Sequence, residues 1–191
     1  MSYGIRSVTM DDIARELGMS KKTLYQAFEN KQAIVEAFAT QFLATSMDAE
    51  NKIHQNANSA VEEMFFVAEH VSKMFLKIPP SAMYDLQKYH HGVWERCDGI
   101  SRQHVFSLVK ENLKRGQTEG LYRAEVNVDV VTLLYVSQGK ALTDEDTFST
   151  STLDKATFFV QMLDYHMNAI TTPKGLDMWK SFTKSMINRT I

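Results

Sequence analysis

Apolar residues recur at three- and four-residue spacing through most of the chain, the period of amphipathic helices. Near the start, Ile13, Ala14 and Leu17 line one side of a short helix, and Leu24, Ala27 and Phe28 line one side of another. Local chemistry marks their ends. Thr9 with Asp12 approaches a capping box, and Asp11 adds negative charge at the same helix start. Gly18 supplies a left-handed residue to end the first helix, Met19 can plug the turn, and Ser20 caps the second. The other face of that second helix carries Lys21, Lys22, Thr23, Tyr25 and Gln26.

The pattern continues. Asn30 caps a long helix opening at Lys31, with Ile34, Val35, Phe38, Phe42 and Leu43 at helical spacing, and the polar run NKIHQNANS marks a break after it. Ser59 and Glu62 form a capping box for a helix from about Ala60 to Ile78. Its stripe of Val61, Met64, Phe65, Ala68, Val71 and Phe75, with Phe66, Val67 and Met74 off it, makes the helix apolar over a wide arc and hence central in a bundle. Pro79 and Pro80 end it. A short helix over Ser81–Tyr89 precedes a longer one within Gly92–Gln117, read as interrupted near Gly99. Ile100, Val105, Phe106, Leu108, Val109 and Leu113 are its apolar positions, and Gly116 and Gly120 mark its end. Asn127 then caps a helix whose Val130, Val131, Leu133, Leu134 and Val136 predict burial. TDEDTFSTST reads as a polar, exposed loop.

Ser151 and Asp154 form another near capping box, for a helix from about Leu153 to Thr171. It has two apolar faces: Ala156, Phe159, Val160, Leu163, Met167 and Ile170 on one, and Phe158, Met162, Tyr165 and Ala169 on the other. After Pro173 and Gly175 a last helix carries Leu176, Trp179, Phe182, Met186 and Ile187. One set can fill the chain's own core, while the surplus calls for a partner. Two antiparallel helices from each of two chains would make a four-helix homodimer interface, with Phe158, Met162, Tyr165, Ala169, Trp179, Phe182 and Met186 at the seam.

Composition narrows the class. The apolar fraction is 44% and the net charge −2, so there is enough apolar surface for a core but no basic coat. Any nucleic-acid contact must come from a local patch, and Lys21, Lys22 and Lys31 supply one. The single cysteine, Cys97, excludes an internal disulfide and a cysteine zinc finger within one chain, which suits a reducing cytoplasm. No signal peptide is visible, and no run of about 18 apolar residues predicts a membrane span.

The Thr9–Lys31 stretch has the form of a helix-turn-helix whose second helix enters a major groove. Lysines meet phosphates or guanine edges, and glutamine can pair bidentately with adenine. Thr and Tyr hydroxyls can hold phosphate oxygens. A plain helical hairpin with a solvated polar face would give the same generic pattern. The residues are more specific. VTMDDIARELGMSKKTLYQAFENKQAIVEAF closely resembles the DNA-binding segment of the TetR (tetracycline-repressor) family of bacterial transcription regulators, strongly over residues 4–45 and only architecturally beyond. The resemblance rests on Thr9, the Ile13-Ala14, Leu17-Gly18 and Ser20 turn, and Thr23-Leu24-Tyr25, Phe28 and Asn30-Lys31. It implies phosphate contacts from Thr9, Thr23, Tyr25 and Lys31, with Ser20 at the same surface. It leaves Lys21, Lys22 and Gln26 to read bases. Family members begin with a further amphipathic helix that completes a three-helix unit, and the chain as given lacks it. Ile13, Leu17, Leu24 and Phe28 are then expected to have an unfilled side, at ~1.5–3 kcal/mol for each side chain uncovered.

Catalytic candidates are few. His91 and Glu95 stand four apart with Cys97 and Asp98 nearby, which are metal-ligand types. The spacing matches no zinc motif, and solvated surface residues are the commoner outcome. No GxSxG elbow and no phosphate-binding glycine loop is present, so no enzyme, metal site or cofactor is expected. The resemblance instead implies a small-molecule effector held in the body. Phe65, Phe75, Tyr84, Trp94 and Phe106 are candidate lining residues, although aromatics at helical spacing are more often packed core.

The expected fold is all-α, with a helix-turn-helix unit over residues 1–45 and a helical-bundle effector-binding and dimerisation domain over 46–191. The expected function is sequence-specific DNA binding at a palindromic operator, a repressor relieved by a ligand. The alternatives are a helical ligand-binding or protein-interaction dimer that does not bind DNA, and a metalloenzyme using His91 and Glu95.

Overall fold

The computed structural model describes residues 4–143 and 153–190, with side chains over 4–142 and 153–184. The regular elements among these are helical, with one isolated antiparallel bridge between Tyr122 and Thr171. In chain order they are a 3-10 turn (Ile5–Ser7) and helices α1 (Met10–Glu16), α2 (Lys21–Ala27), α3 (Lys31–Asn56), α4 (Ala60–Lys77), α5 (Pro80–Tyr89), α6 (His91–Thr118), α7 (Val128–Thr143), α8 (Lys155–Ile170) and α9 (Pro173–Thr190). The expected loop TDEDTFSTST lies almost wholly outside the described residues, as do Ser151 and the side chain of Met186.

The helix ends follow their capping residues. Asn30 Oδ1 accepts the Ala33 amide at 3.0 Å, Ser59 Oγ accepts the Glu62 amide at 3.1 Å, and Asn127 Oδ1 accepts the Val130 amide at 3.1 Å. Asp154 caps α8 by accepting the Thr157 amide at 2.8 Å. Each bond satisfies one of the free N–H groups of a first turn.

Three elements depart from the sequence reading. α3 runs on through the polar stretch to Asn56, where Lys52 pairs with Asp48 one turn back. α6 is continuous through Gly99 and Gly116. A helix interior accepts glycine at about 1 kcal/mol, and Gly116 has a packing reason, since a Cβ there would collide with the Tyr122 ring. The helix stops at Gly120, whose φ of 67° is left-handed. On α7, Val130, Leu133 and Leu134 are each more than half exposed, and the buried positions are Thr132, Tyr135 and Leu142. Apolar composition predicted burial there, but within this chain that face is open.

The residues group into two compact units: Met1–Met47 with Lys77–Ser101, and Asp48–Leu76 with Arg102–Ile191. Residues 77–101, read from sequence as part of the body, thus pack with the helix-turn-helix. In the second unit the core gathers Val61, Met64, Phe65, Ala68, Leu113, Tyr122, Phe159, Leu163, Met167 and Trp179. A polar network closes the start of α4. Glu119 accepts the Ala60 amide at 2.8 Å, Asn112 donates to the Ala60 carbonyl at 2.9 Å, and Arg115 donates to the Ala57 carbonyl at 2.8 Å. Buried Glu63 accepts from Arg115 and faces His54 at 2.9 Å, so its charge is paired rather than isolated.

Candidate nucleic-acid interface

α1 and α2 are seven residues each, too short to hold a helix without caps and packing. Thr9 and Asp12 form a reciprocal capping box: Thr9 Oγ1 accepts the Asp12 amide at 3.1 Å, and Asp12 Oδ2 accepts the Thr9 amide at 2.9 Å. The Thr9 hydroxyl and amide bonds, with Arg15 nearby, hold the Asp12 carboxyl below its usual range. Gly18 turns the chain at φ 64°. Ser20 Oγ accepts the Thr23 amide at 3.1 Å and starts α2. Leu24 (2% exposed) and Ala14 (3%) bury the inner faces against each other's helices, whereas Leu17 is 59% exposed. Of the four side chains expected to have an unfilled side, Leu24 is buried, Ile13 and Phe28 are half-buried and Leu17 is exposed. Met19 is 38% exposed and does not plug the turn, and Ala27 lies outward.

This packing fixes which face of α2 looks outward. Lys21, Lys22, Thr23, Tyr25 and Gln26 are all exposed. Lys21 Nζ lies 2.5 Å from Asp11, a solvated pair that competes weakly with a phosphate. Ser20 and Thr23 share a hydroxyl–hydroxyl bond of 2.8 Å, and Tyr25 projects at the far end of the same face. Lys31 opens α3, and its ammonium donates to the Arg6 carbonyl at 3.1 Å. An ammonium has three donors, so this bond orients Lys31 and leaves two for another acceptor. The residues named from sequence thus fall on two exposed helix starts and on one outward face.

The chain's first 38 residues match the family model for bacterial regulatory proteins of the tetR family. An uncharacterized HTH-type transcriptional regulator of Bacillus subtilis, YvaF, is 26% identical over 181 residues, covering 90% of each chain. Over its first 38 residues the chain is similar to the DNA-binding segment of the TetR family. The likeness of fold extends over most of the chain. A transcriptional regulator from Cytophaga hutchinsonii superposes with a TM-score of 0.70 at 19% identity, covering 89% of this chain and 91% of that one. FadR from Bacillus subtilis, solved in complex with stearoyl-CoA, superposes at 0.61 with 12% identity, covering 86% and 89%.

The other sequence candidates separate. His91 Nε2 and Glu95 Oε1 are 3.2 Å apart but about two-thirds exposed, an ordinary i,i+4 surface pair. Among the described residues no three His, Cys, Asp or Glu side chains converge as metal ligands. Burial raises the Cys97 thiol pKa, which disfavours the thiolate a nucleophile needs. Among the aromatic candidates, Phe65 and Phe75 pack within the second unit, against Phe182 and Phe159 respectively, and Phe106 is half-buried there under Lys110. Tyr84 and Trp94 belong to the first unit, Tyr84 being 41% exposed. Sequence reading missed Tyr135 and His166, whose rings meet edge to face at 5.1 Å inside the second unit. Burial holds His166 down to about 4, so it is a neutral imidazole at physiological pH. No helix among the described residues is long and apolar enough to cross a membrane.

The seam residues also separate. Tyr165 is 72% exposed and Ala169 is exposed, but Trp179 (1%) and Met162 (9%) are enclosed by the chain's own core. Phe182 stacks on Phe65 at 5.2 Å, and Phe158 packs partly against the same core. Trp179 cannot meet a partner: its indole is internal, and Nε1 donates to Asp164 at 2.8 Å.

Proposed function

We propose that this chain is a regulator of transcription that binds a palindromic operator as a homodimer, with α2 in the major groove of each half-site. The supporting observation is the outward face of α2, where Lys21, Lys22, Thr23, Tyr25 and Gln26 are all exposed, with exposed Thr9 at the start of α1 and half-buried Lys31 at the start of α3. In this reading Lys21, Lys22 and Gln26 meet base edges, while Thr9, Ser20, Thr23, Tyr25 and Lys31 hold phosphates. The dimer seam runs along α7 and α8, which pack on each other and expose Val130, Leu133, Leu134, Tyr165 and Ala169. A repressor's release by a small effector bound in the second unit completes the reading, with Phe75 and Phe106 as half-buried apolar candidates. Release follows if the effector binds one arrangement of the dimer better than the other.

The test is base preference. Gln26→Ala should change which sequences are selected from a random pool, at about 1–3 kcal/mol for each base interaction removed. Tyr25→Phe should weaken binding by a similar factor on all sequences. An unchanged preference in Gln26→Ala would refute the assignment of the reading face.

A further inference from the structure

We propose that Asp85, on α5, is a positioning residue for DNA binding, acting through the peptide groups of Arg6. The inference rests on the DNA-binding role of the α2 face. Asp85 lies 79 residues from Arg6 in sequence, yet its Oδ2 accepts the Arg6 amide at 2.8 Å. The Asp85 side chain is buried, only 8% exposed. On the other side of the same residue, the Arg6 carbonyl accepts from Lys31 at 3.1 Å. Both backbone polar groups of Arg6 are therefore held, one by a carboxylate and one by an ammonium. The Arg6 guanidinium lies over the Tyr89 ring at 5.0 Å and donates to its hydroxyl at 3.1 Å, so a second α5 residue grips the same segment.

The carboxylate also sits close against Gly4, two residues before Arg6. A Cβ at Gly4 would stand 2.5 Å from Asp85 Oδ2. Ser7 then ties the turn by donating its hydroxyl to the Gly4 carbonyl at 2.9 Å. Two residues on is Thr9, the cap of α1. A carboxylate bonded to an amide is among the stronger hydrogen bonds. Asp85 thereby fixes two phosphate candidates at once: Thr9 through the turn, and Lys31 through the carbonyl it donates to. Further ties from the same region reach α3, where His90 Nδ1 meets Gln32 Oε1 and Arg96 meets Glu36. None of these tie residues is on the exposed face of α2.

The experiment compares the full chain with Asp85→Ala, Asp85→Asn and Gly4→Ala, reading DNA affinity against salt, amide exchange at Arg6, and thermal melting. Asp85→Ala should speed exchange of the Arg6 amide by about ten- to hundred-fold. It should weaken DNA binding on all sequences alike, and lower the slope of log affinity against log salt by about 0.9 for each phosphate no longer neutralised. Asp85→Asn keeps an acceptor oxygen and should fall between. Gly4→Ala displaces the carboxylate while leaving Asp85 in place, and should reproduce the loss of slope without lowering the melting temperature of the second unit. It carries the test if Asp85→Ala fails to fold. A purely structural role would lower melting and leave the salt slope of the folded protein unchanged, and that result overturns the proposal. So does wild-type affinity and slope in both Asp85→Ala and Gly4→Ala. A wild-type chain with no specific DNA binding would overturn the function this role serves, and the Arg6 exchange rates would still show separately whether the clasp forms.

Discussion

Replacing Leu24 by alanine should unfold α1 and α2 locally and leave the rest of the chain intact. Leu24 is 2% exposed, and it and Ala14 are the fully buried residues of α1 and α2. The substitution removes three carbons from a dry site, at about 0.8 kcal/mol each. A cavity term would raise the total to the 2.7–5.0 kcal/mol range known for such changes. Here the rim is loose, with Leu17 at 59% and Met19 at 38% exposure, so the site can close in part. The cost should therefore sit at the low end, about 2.5–3 kcal/mol, close to a hundred-fold in the opening equilibrium. Hydrogen exchange reads this directly. Amides of α2 should exchange about a hundred-fold faster, while those of Leu163 and Met167, deep in the second unit, should not change. Less than about ten-fold acceleration in α2, or equal acceleration at Leu163 and Met167, would refute the claim that Leu24 holds a locally cooperative unit.

The second unit makes its own predictions. Burial holds the folded pKa of His166 at about 4 against about 6.5 when unfolded, so the unfolded state takes up the proton first. Stability should be level above pH 6.5 and fall by up to about 3 kcal/mol as pH drops to 4. His166→Phe should remove that part of the slope in a urea titration series, and an unaltered slope would refute the assignment. Leu133→Asp with Tyr165→Asp should convert a dimer to folded monomer in sedimentation velocity. A persisting dimer would exclude the α7–α8 seam. Trp179→Ala should instead cost about 3–5 kcal/mol of protomer stability, and dissociation without loss of stability would contradict its place in the core.

What could be read from sequence was what depends on near neighbours. Thr9, Gly18, Ser20, Asn30, Ser59 and Asn127 each act on residues within a turn, and the structure gives each the role its type suggests. The outward face of α2 followed from spacing once Leu24 was taken as the inward residue. The misreadings have other causes. Glycine lowers helix propensity but does not decide it, so α6 runs through Gly99. Apolar periodicity shows that a face wants cover without saying whose, which is why Leu133 was read as buried and Trp179 as shared. Asp85 was invisible because an acid in an ordinary amphipathic helix gives no sign that its partner is a backbone amide far away in sequence.

The central claim is that α2 reads DNA. The most direct measurement is fluorescence anisotropy with operator fragments selected from a random pool, titrated against non-specific competitor at several salt concentrations. The full chain is compared with a Lys21→Ala, Lys22→Ala, Gln26→Ala variant of equal helicity. The account predicts competitor-resistant binding by the wild type, with a steep salt dependence, and loss of the selected preference in the variant. Equal binding and equal preference in both proteins would contradict it, as would a wild type that binds every fragment alike.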